Sequence, residues 1–290
     1  MRNNTNTKTM DEAFFEEYTS HDAILKYTRA TAGYGISYLL DHDYRNVYLG
    51  ALEHVPGEVR QRGIRILEFG CGGGMNLVHL ISVLRREGVR IEKALGTDFS
   101  PVLVEAARKE AAAYLRPEEQ GLVEFRVGRN ESLLADLQAK NGLHASGLLG
   151  SFDFILGVNT IRYCHRGGGE MSCARDIMAL LRPQGVCVVI DMNDRFPAFR
   201  SALKRKLEAR KVEECYIPSL EEYAAPFEMT GYEILRKEHF CWVPHSGGRV
   251  LCGMMRALGP LLDAVARSRA MRSLIVARKP ADKPGASAWA

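Results

Sequence analysis

The sequence is most informative at Ile64-Arg65-Ile66-Leu67-Glu68-Phe69-Gly70-Cys71-Gly72-Gly73-Gly74-Met75-Asn76. An apolar run rich in β-branched residues reaches the carboxylate of Glu68, a glycine cluster follows, and the residues from Asn76 to Arg86 have a helical pattern. Gly70 and Gly72 can adopt a positive φ and let the backbone approach a ligand that a Cβ would exclude. The next helix points its free N–H groups and its positive dipole end at this turn. Strand, turn and helix together predict a nucleotide-like ligand site at the carboxyl end of a parallel strand.

The identity of that ligand follows from the residues around the glycines. A dinucleotide fingerprint, G-x-G-x-x-G, would fit Gly70 and Gly72 but has Met75 in its third place. Glu68 would repel a phosphate and would suit a ligand with positive charge, such as S-adenosylmethionine (SAM), which carries a sulfonium and an ammonium. The chain resembles the class I SAM-dependent methyltransferases, whose first motif is E-x-G-x-G-x-G. The residues that match this motif are Glu68, Gly70, Gly72 and Gly74.

A second acid strengthens the resemblance. Ile91–Asp98 has the pattern of a strand that ends in a carboxylate, and Ser100 is a plausible N-cap for the helix that follows. Asp98 lies 24 positions after Gly74, close to the ~20-residue spacing of a ribose-binding acid in a βαβ unit. We therefore expect Asp98 to accept hydrogen bonds from the ribose hydroxyls and Phe99 to lie against the adenine.

The resemblance implies further cofactor contacts after the third and fourth strands. Arg129 stands where the family commonly has an aspartate, so Asn130 or Glu131 is expected to hold the adenine amine, with a solvated turn as the alternative. The fourth strand, Phe152–Thr160, is expected beside the first, with its end next to the sulfonium. The predicted cofactor contacts are Glu68, Gly70, Cys71, Gly72, Asn76, Asp98, Phe99, Asn130, Glu131 and Val158.

The alternation of strand and helix patterns predicts an α/β fold. We expect a Rossmann-like, seven-stranded, doubly wound sheet whose last strand is antiparallel, as in the resembling family. A helical N-terminal cap and a lid insert after the fifth strand are added to it. The predicted layout is a disordered tail (1–9), the cap (10–58), a SAM-binding domain (59–280) with its lid insert (192–230), and a loose C-terminal tail (281–290).

The acceptor side is predicted from the residues after the fourth strand, the cap and the insert. The chain lacks the N/D-P-P-Y/F signature of many nucleic-acid amino methyltransferases, which argues against base amines. A basic run over 195–211, with Arg162 and Arg166, favours an anionic acceptor such as a phosphate, diphosphate or carboxylate; a solvated helix face is the alternative. The candidate acceptor contacts are Tyr34, Asn159, Arg162, Arg200, Lys204, Tyr216 and Tyr223.

Two residues are candidates for the catalytic base. His165 lies just beyond the fourth strand, and a structural histidine is the alternative. Glu222 lies in the insert, where it also completes a capping box with Ser219. A hydroxyl or amine acceptor needs such a base, whereas a carbon acceptor also needs its developing cation stabilised, which aromatic faces can do.

These residues predict an enzyme, a SAM-dependent methyltransferase acting on a small molecule. The sharper hypothesis is C-methylation of an isoprenoid diphosphate such as isopentenyl diphosphate. O- or N-methylation of another specialised metabolite is the nearest alternative. An NAD(P)-linked oxidoreductase is disfavoured by Met75 and Glu68, and a non-catalytic protein of this fold would leave Glu68 and Asp98 unexplained.

Composition restricts the partners and the compartment. A formal charge of +4 over 290 residues is too small to predict a nucleic-acid partner. No apolar run approaches the ~20 residues of a membrane span, and the polar, acidic first twenty residues predict no signal peptide. The seven cysteines are scattered without C-x-x-C spacing, which predicts reduced thiols, no metal site and a cytoplasmic location. The sequence is compatible with a homo-oligomer.

Overall fold

The computed structural model describes residues 18, 28, 33–141, 147–197 and 217–281. Seven strands form one sheet in the order β3-β2-β1-β4-β5-β7-β6. Strand β7 runs antiparallel to both of its neighbours, and the other pairings are parallel. The strands are β1 Ile64–Phe69, β2 Ile91–Asp98, β3 Val123–Val127, β4 Phe152–Val158, β5 Leu181–Met192, β6 Glu233–Phe240 and β7 Arg272–Arg278. The predicted Rossmann-like α/β sheet with its last strand antiparallel is confirmed.

Helices connect these strands, as the alternating pattern predicts. Several of them bury an apolar side against the sheet, whereas the longest, Arg249–Ala266, buries only Cys252. The helices are α1 Tyr34–Leu39, α2 Arg45–Leu52, α3 Gly57–Arg62, α4 Met75–Arg86, α5 Pro101–Tyr114, α6 Pro117–Gln120, α7 Leu133–Asn141, α8 Ile161–Gly167, α9 Glu170–Leu180, α10 Leu220–Thr230 and α11 Arg249–Ala266. A π-helical turn, Leu40–Tyr44, joins α1 to α2.

The sheet is buried on both faces, which accounts for the continuous apolar runs of its central strands. Ile66 of β1 and Phe154 of β4 belong to the cluster covered by α2, α4 and α5. Leu67 and Ile155, one position further along, belong to the opposite cluster under α8, α9 and α10. The alternation of side chains along each strand thus assigns neighbouring residues to two separate cores.

Two elements after β4 affect the site. Strand β5 extends to Met192 and carries Asp191 to the carboxyl edge of the sheet. Helix α10, within the predicted lid insert, packs against α9 and buries Tyr223 and Phe227 in the core.

The cap and the insert are only partly described, so their predicted boundaries stay predictions. Arg200, Lys204 and Tyr216 lie outside the described residues, as do the tail 1–9 and all but the first residue of 281–290. Within the described part of the chain, no helix is both long and apolar enough to cross a membrane.

Candidate active site

A cavity of about 700 Å³ opens at the carboxyl ends of the central strands. This volume lies within the ~300–1,000 Å³ range of small-molecule sites. The loop after β1, the end of β2 and the end of β4 form its walls, and α1 with the following π-turn contributes Ile36, Leu39, Leu40 and Tyr44. The cavity therefore occupies the crevice in which doubly wound folds bind their ligands.

The glycine loop is shaped by contacts that leave no room for side chains. Gly70 has φ of 61°, and a Cβ on it would stand 1.9 Å from Oγ1 of Thr160. Gly74 has φ of 81° and is the N-cap of α4, where a Cβ would come 2.8 Å from Cβ of Ala107. The first glycine thus permits the tight turn, and the other lets α4 approach α5. Because glycine has no side chain, the backbone of the loop can face the cavity.

Asp98 ties this loop to the end of β2. Its Oδ2 accepts a hydrogen bond from N–H of Gly72 and its Oδ1 one from N–H of Ser100, both at 2.9 Å. Burial raises the pKa of Asp98, and these two hydrogen bonds oppose the rise. An ionised carboxylate has about four acceptor positions, so two remain for donors in the cavity. A ribose diol supplies two such donors.

Glu68 lies behind the loop and does not line the cavity. Its side chain is fully buried, and neither oxygen has a hydrogen bond of ordinary geometry within the described residues. Burial raises the pKa of Glu68 well above its usual value; N–H of Leu77 and the amide of Asn76 oppose the rise, and Asp98 adds to it. A fully buried carboxylate behind the loop suits a cationic ligand and disfavours a phosphate. The residues present therefore fit SAM.

The other predicted cofactor contacts are brought together at the same end. Nδ2 of Asn130 donates to Oγ1 of Thr160 at 2.7 Å, which joins the end of β3 to the end of β4. The predicted cofactor residues that line the cavity are Gly70, Cys71, Gly72, Asn76, Asp98, Phe99, Asn130, Glu131 and Val158.

Two of the four described acceptor candidates, Asn159 and Arg162, line the cavity. Tyr34 does not: its side chain is 45% exposed, and the guanidinium of Arg249 lies 5.5 Å over its ring. Tyr223 is buried in the core instead, because α10 packs on the sheet rather than over the cavity.

Neither predicted base lines the cavity. Oε2 of Glu222 accepts a hydrogen bond from N–H of Ser219 at 2.7 Å, and N–H of Glu222 donates to Oγ of Ser219 at 3.3 Å. These bonds lower the pKa of Glu222 and give it the capping role. The ring of His165 packs edge-on against Tyr223 at 5.7 Å, behind the cavity wall, and burial lowers its pKa.

Several cavity residues were not singled out from the sequence. The hydroxyls of Tyr18 and Tyr163 are hydrogen-bonded to each other, and Tyr18 also packs edge-on against Phe99 with ring centroids 5.9 Å apart. Oγ of Ser100 donates to the carbonyl of Tyr18 at 2.6 Å. Met192 and His245 complete this group at the acceptor end.

Arg162 is fixed between β4 and β5. Its backbone N–H donates to Oδ2 of Asp191 at 3.2 Å, and Nη2 donates to the hydroxyl of Tyr163 at 2.6 Å. Burial alone would lower the pKa of Arg162, but Tyr163 and Asp191 outweigh it, so its pKa is raised and the guanidinium stays charged. The acceptor end therefore combines aromatic surface with a fixed cation.

A family model described as a methyltransferase domain matches residues 40–237. Over 134 residues the chain is 31% identical to the citrinin polyketide synthase of Monascus ruber; the aligned stretch is 46% of this chain and 4% of that protein. Over 152 residues it is 30% identical to the non-reducing polyketide synthase mapC of Penicillium roqueforti (strain FM164); the aligned stretch is 51% of this chain and 5% of that protein. The match thus spans about a twentieth of these relatives.

Solved structures share the fold at low sequence identity. The CurJ carbon methyltransferase superposes with a TM-score of 0.53 at 15% identity, over 89% of this chain and 58% of that one. The DszA carbon methyltransferase gives 0.53 at 19%, over 82% and 54%. The [4+2]-cyclase SpnF gives 0.50 at 19%, over 82% of each chain. A cyclase on this fold shows that the fold by itself does not specify the reaction.

Proposed function

The chain belongs to the family of class I SAM-dependent methyltransferases, and from that premise we propose that it methylates a small-molecule acceptor of specialised metabolism. The observation that carries this proposal is the continuity of the cavity. One end is formed by Gly70, Gly72 and Asp98, and the other by Asn159 and Arg162. Cofactor and acceptor can therefore meet inside one enclosed space at the end of β4.

When bound, SAM supplies an electrophilic methyl group on a sulfonium sulfur. The chain's own part is to bind and orient. The loop from Gly70 to Gly72 would cradle SAM, Asp98 would accept from the ribose hydroxyls, and Asn130 and Phe99 would hold the adenine. Glu68, once ionised, would act from behind the loop through its charge. Holding two reactants in line can contribute up to ~7–11 kcal/mol to lowering the barrier.

Carbon is the acceptor atom that we propose. The aromatic side chains of Tyr18, Tyr44 and Tyr163 line the cavity and can stabilise positive charge that develops on a carbon acceptor. O- or N-methylation is the rival, and it needs a base at the acceptor. Neither His165 nor Glu222 lines the cavity, whereas the neutral ring of His245 does, so the aromatic surface is the observation that favours the carbon acceptor.

The narrower proposal for the acceptor is an isoprenoid diphosphate. It is supported by Arg129, Arg162 and Arg166, which line the cavity beside the aromatic surface. Arg200 and Lys204, on which it also depends, lie outside the described residues. An enolisable, polyketide-like ketone is the second candidate, and the curated relatives, which are polyketide synthases, favour it.

The test has two stages. Calorimetric titration with SAM, S-adenosylhomocysteine and NADH comes first; NADH binding without a response to SAM would overturn the proposal. Radiolabelled SAM is then offered with isopentenyl diphosphate, geranyl diphosphate, a β-ketoacyl-N-acetylcysteamine thioester, and pools of phenols and amines. Label in the diphosphates supports the narrower proposal, label in the thioester supports the second candidate, and label confined to phenols or amines replaces both with the rival.

A further inference from the structure

Arg272, the first residue of β7, is a fully buried cation. Among the residues that the structure describes, no carboxylate lies within ion-pair distance of its guanidinium. Nη1 instead donates to Oδ1 of Asn159 at 2.5 Å, and Nη2 contacts Nε2 of His245. A buried charge that lacks an opposite charge is costly to the fold, so its position calls for a functional explanation.

The chemistry of arginine determines how its two neighbours are oriented. A guanidinium has five donors and no acceptor. Asn159 must therefore turn its carbonyl oxygen to Arg272, which leaves its NH₂ group pointing away. Nη2 contacts Nε2 of His245 and lies 3.3 Å from Nδ1. Because a guanidinium can only donate, the ring nitrogen that accepts from it, Nε2, is unprotonated, and the proton of the neutral ring lies on Nδ1. Burial, and then the charges of Arg272 and Arg162, lower the pKa of His245 well below its usual value and keep the ring neutral.

Both neighbours line the cavity, whereas Arg272 lies behind them. Asn159 holds this position at the end of β4 with φ of 55°, a left-handed conformation that is uncommon outside glycine. Backbone strain of this kind persists where the surroundings over-determine it, often at ligand sites. The acceptor end of the cavity therefore presents two neutral donors in front of a buried cation.

The charges nearby do not neutralise that cation. Asp191 is the carboxylate of this cluster, and its oxygens accept from the backbone N–H groups of Arg162 and Met192 at 3.2 and 2.8 Å. Its ion-pair contact is with Arg162, whose Nε lies 4.0 Å from Oδ1. Within the described residues, Asp191 is the one carboxylate at ion-pair distance from either guanidinium, so one of the two cations has no carboxylate in contact and an anion in the cavity would balance it.

We propose that Asn159 and His245, oriented by Arg272, form a subsite for a singly charged oxyanion on a carbon of the acceptor, an enolate or a carboxylate. Two hydrogen-bond donors and one excess positive charge match a single anionic oxygen. A diphosphate carries more negative charge than this subsite can balance. Preorganised donors of this kind stabilise an oxyanion strongly in a buried site. Arg272 is the positioning residue, and Asn159 and His245 make the contacts. This inference rests on the proposed function, and within it on the second candidate, the enolisable acceptor, rather than on the diphosphate, since it assigns the acceptor's anionic group.

The experiment uses the full chain loaded with S-adenosylhomocysteine. Acetylacetone is the enolate probe, followed by the ultraviolet absorption of its enolate, and isovalerate is the carboxylate probe, followed by calorimetry. We expect Arg272→Met to weaken binding of either probe at least tenfold while changing the affinity for S-adenosylhomocysteine less than threefold. Arg278→Met, on the same strand but paired with Glu233 at the surface, is the matched control.

Asn159→Asp provides a second variant if Arg272→Met does not fold. It keeps an oxygen for Arg272 but replaces the donor with a negative charge, so it should abolish binding of the probes. If acetylacetone binds as its enolate, the anionic group of the acceptor is an enolate. If isovalerate binds, that group is a carboxylate. Unchanged probe binding in either folded variant, or binding of inorganic diphosphate alone, overturns the subsite. Failure of the wild type to bind S-adenosylhomocysteine would instead refute the proposed function.

Discussion

Thr160 lies so close to Gly70 that its hydroxyl oxygen would be 1.9 Å from a Cβ on that glycine. The two residues follow β4 and β1, which are neighbours at the centre of the sheet. Oγ1 of Thr160 also accepts from Asn130 after β3. The contact thus joins the ends of three strands at the floor of the cavity, and the glycine loop has the shape that this contact permits.

Gly70→Ala should therefore disrupt the cofactor site. We expect the affinity for S-adenosylhomocysteine to fall at least thirtyfold, because the loop must move away from Thr160. Gly88→Ala is the matched control, since Gly88 also has a positive φ, of 71°, but nothing lies within 4 Å of the added Cβ. Calorimetric titration of both variants separates displacement of the loop from general destabilisation. Equal losses in the two variants would show that the effect does not depend on the contact with Thr160.

Asp98→Ala should weaken the cofactor through two effects. It removes acceptors for the ribose, and it leaves N–H groups of Gly72 and Ser100 without their partner, each a loss of about 1–3 kcal/mol where water is excluded. Asp136→Ala is the control, because Asp136 also accepts a backbone hydrogen bond, from Arg129 at 2.7 Å, but does not line the cavity. Affinity for S-adenosylhomocysteine and the urea midpoint are measured on both.

If Asp98→Ala lowered the urea midpoint and left that affinity unchanged, Asp98 would hold the loop without contacting the ribose. Loss of affinity in Asp136→Ala to the same extent would count against a specific role for Asp98.

The sheet could be predicted because its signals are local. Glu68 to Gly74 encode strand, turn and helix within a few residues, and Asp98 ends the next strand at the interval that a βαβ unit requires. Nine of the ten cofactor contacts that the motifs predict line the cavity. The exception is Glu68. Its position in the motif predicts a contact with the cofactor, but the loop covers its side chain.

The acceptor end could not be predicted because it is assembled from distant segments. Arg272 meets Asn159 across 113 residues, and it meets His245 only because β7 inserts between β5 and β6. In the sequence, Arg272 is one arginine beside an apolar strand, and such a residue is usually exposed. Tyr223 and Glu222 were predicted to reach the acceptor from a lid. Their helix, α10, instead packs its aromatic face on the sheet, so neither residue lines the cavity.

Glu68 should make stability depend on pH. Its pKa in the folded protein is raised well above the ordinary value of about 4.5, so the folded state holds the proton more tightly than the unfolded state. The resulting stability is present below pH ~4.5 and is lost as the pH rises through the folded pKa. Glu68→Gln removes this loss, and the variant should gain stability relative to wild type between pH 5 and 8 in urea unfolding.

Glu92→Gln, on the solvent side of β2, controls for the loss of one charge. Saturation with S-adenosylhomocysteine, whose ammonium favours the ionised acid, should reduce the gain in Glu68→Gln. Parallel stability curves for wild type and Glu68→Gln would mean that Glu68 is not protonated in the free protein over this range.

Glu222 should prove to be a cap and not a base. Its carboxylate accepts from N–H of Ser219 at the start of α10, and loss of a helix cap typically costs ~0.5–2 kcal/mol. We therefore expect Glu222→Ala to lower the free energy of unfolding by about 1 kcal/mol and to leave the rate of methyl transfer within threefold of wild type. Glu221→Ala, in the same helical turn but paired with Lys237 at the surface, is the stability control.

His165→Gln should likewise retain the rate of methyl transfer, since that ring lies behind the cavity wall. A loss of kcat above a hundredfold in a stably folded Glu222→Ala or His165→Gln would restore that residue as the base, and with it the case for O- or N-methylation.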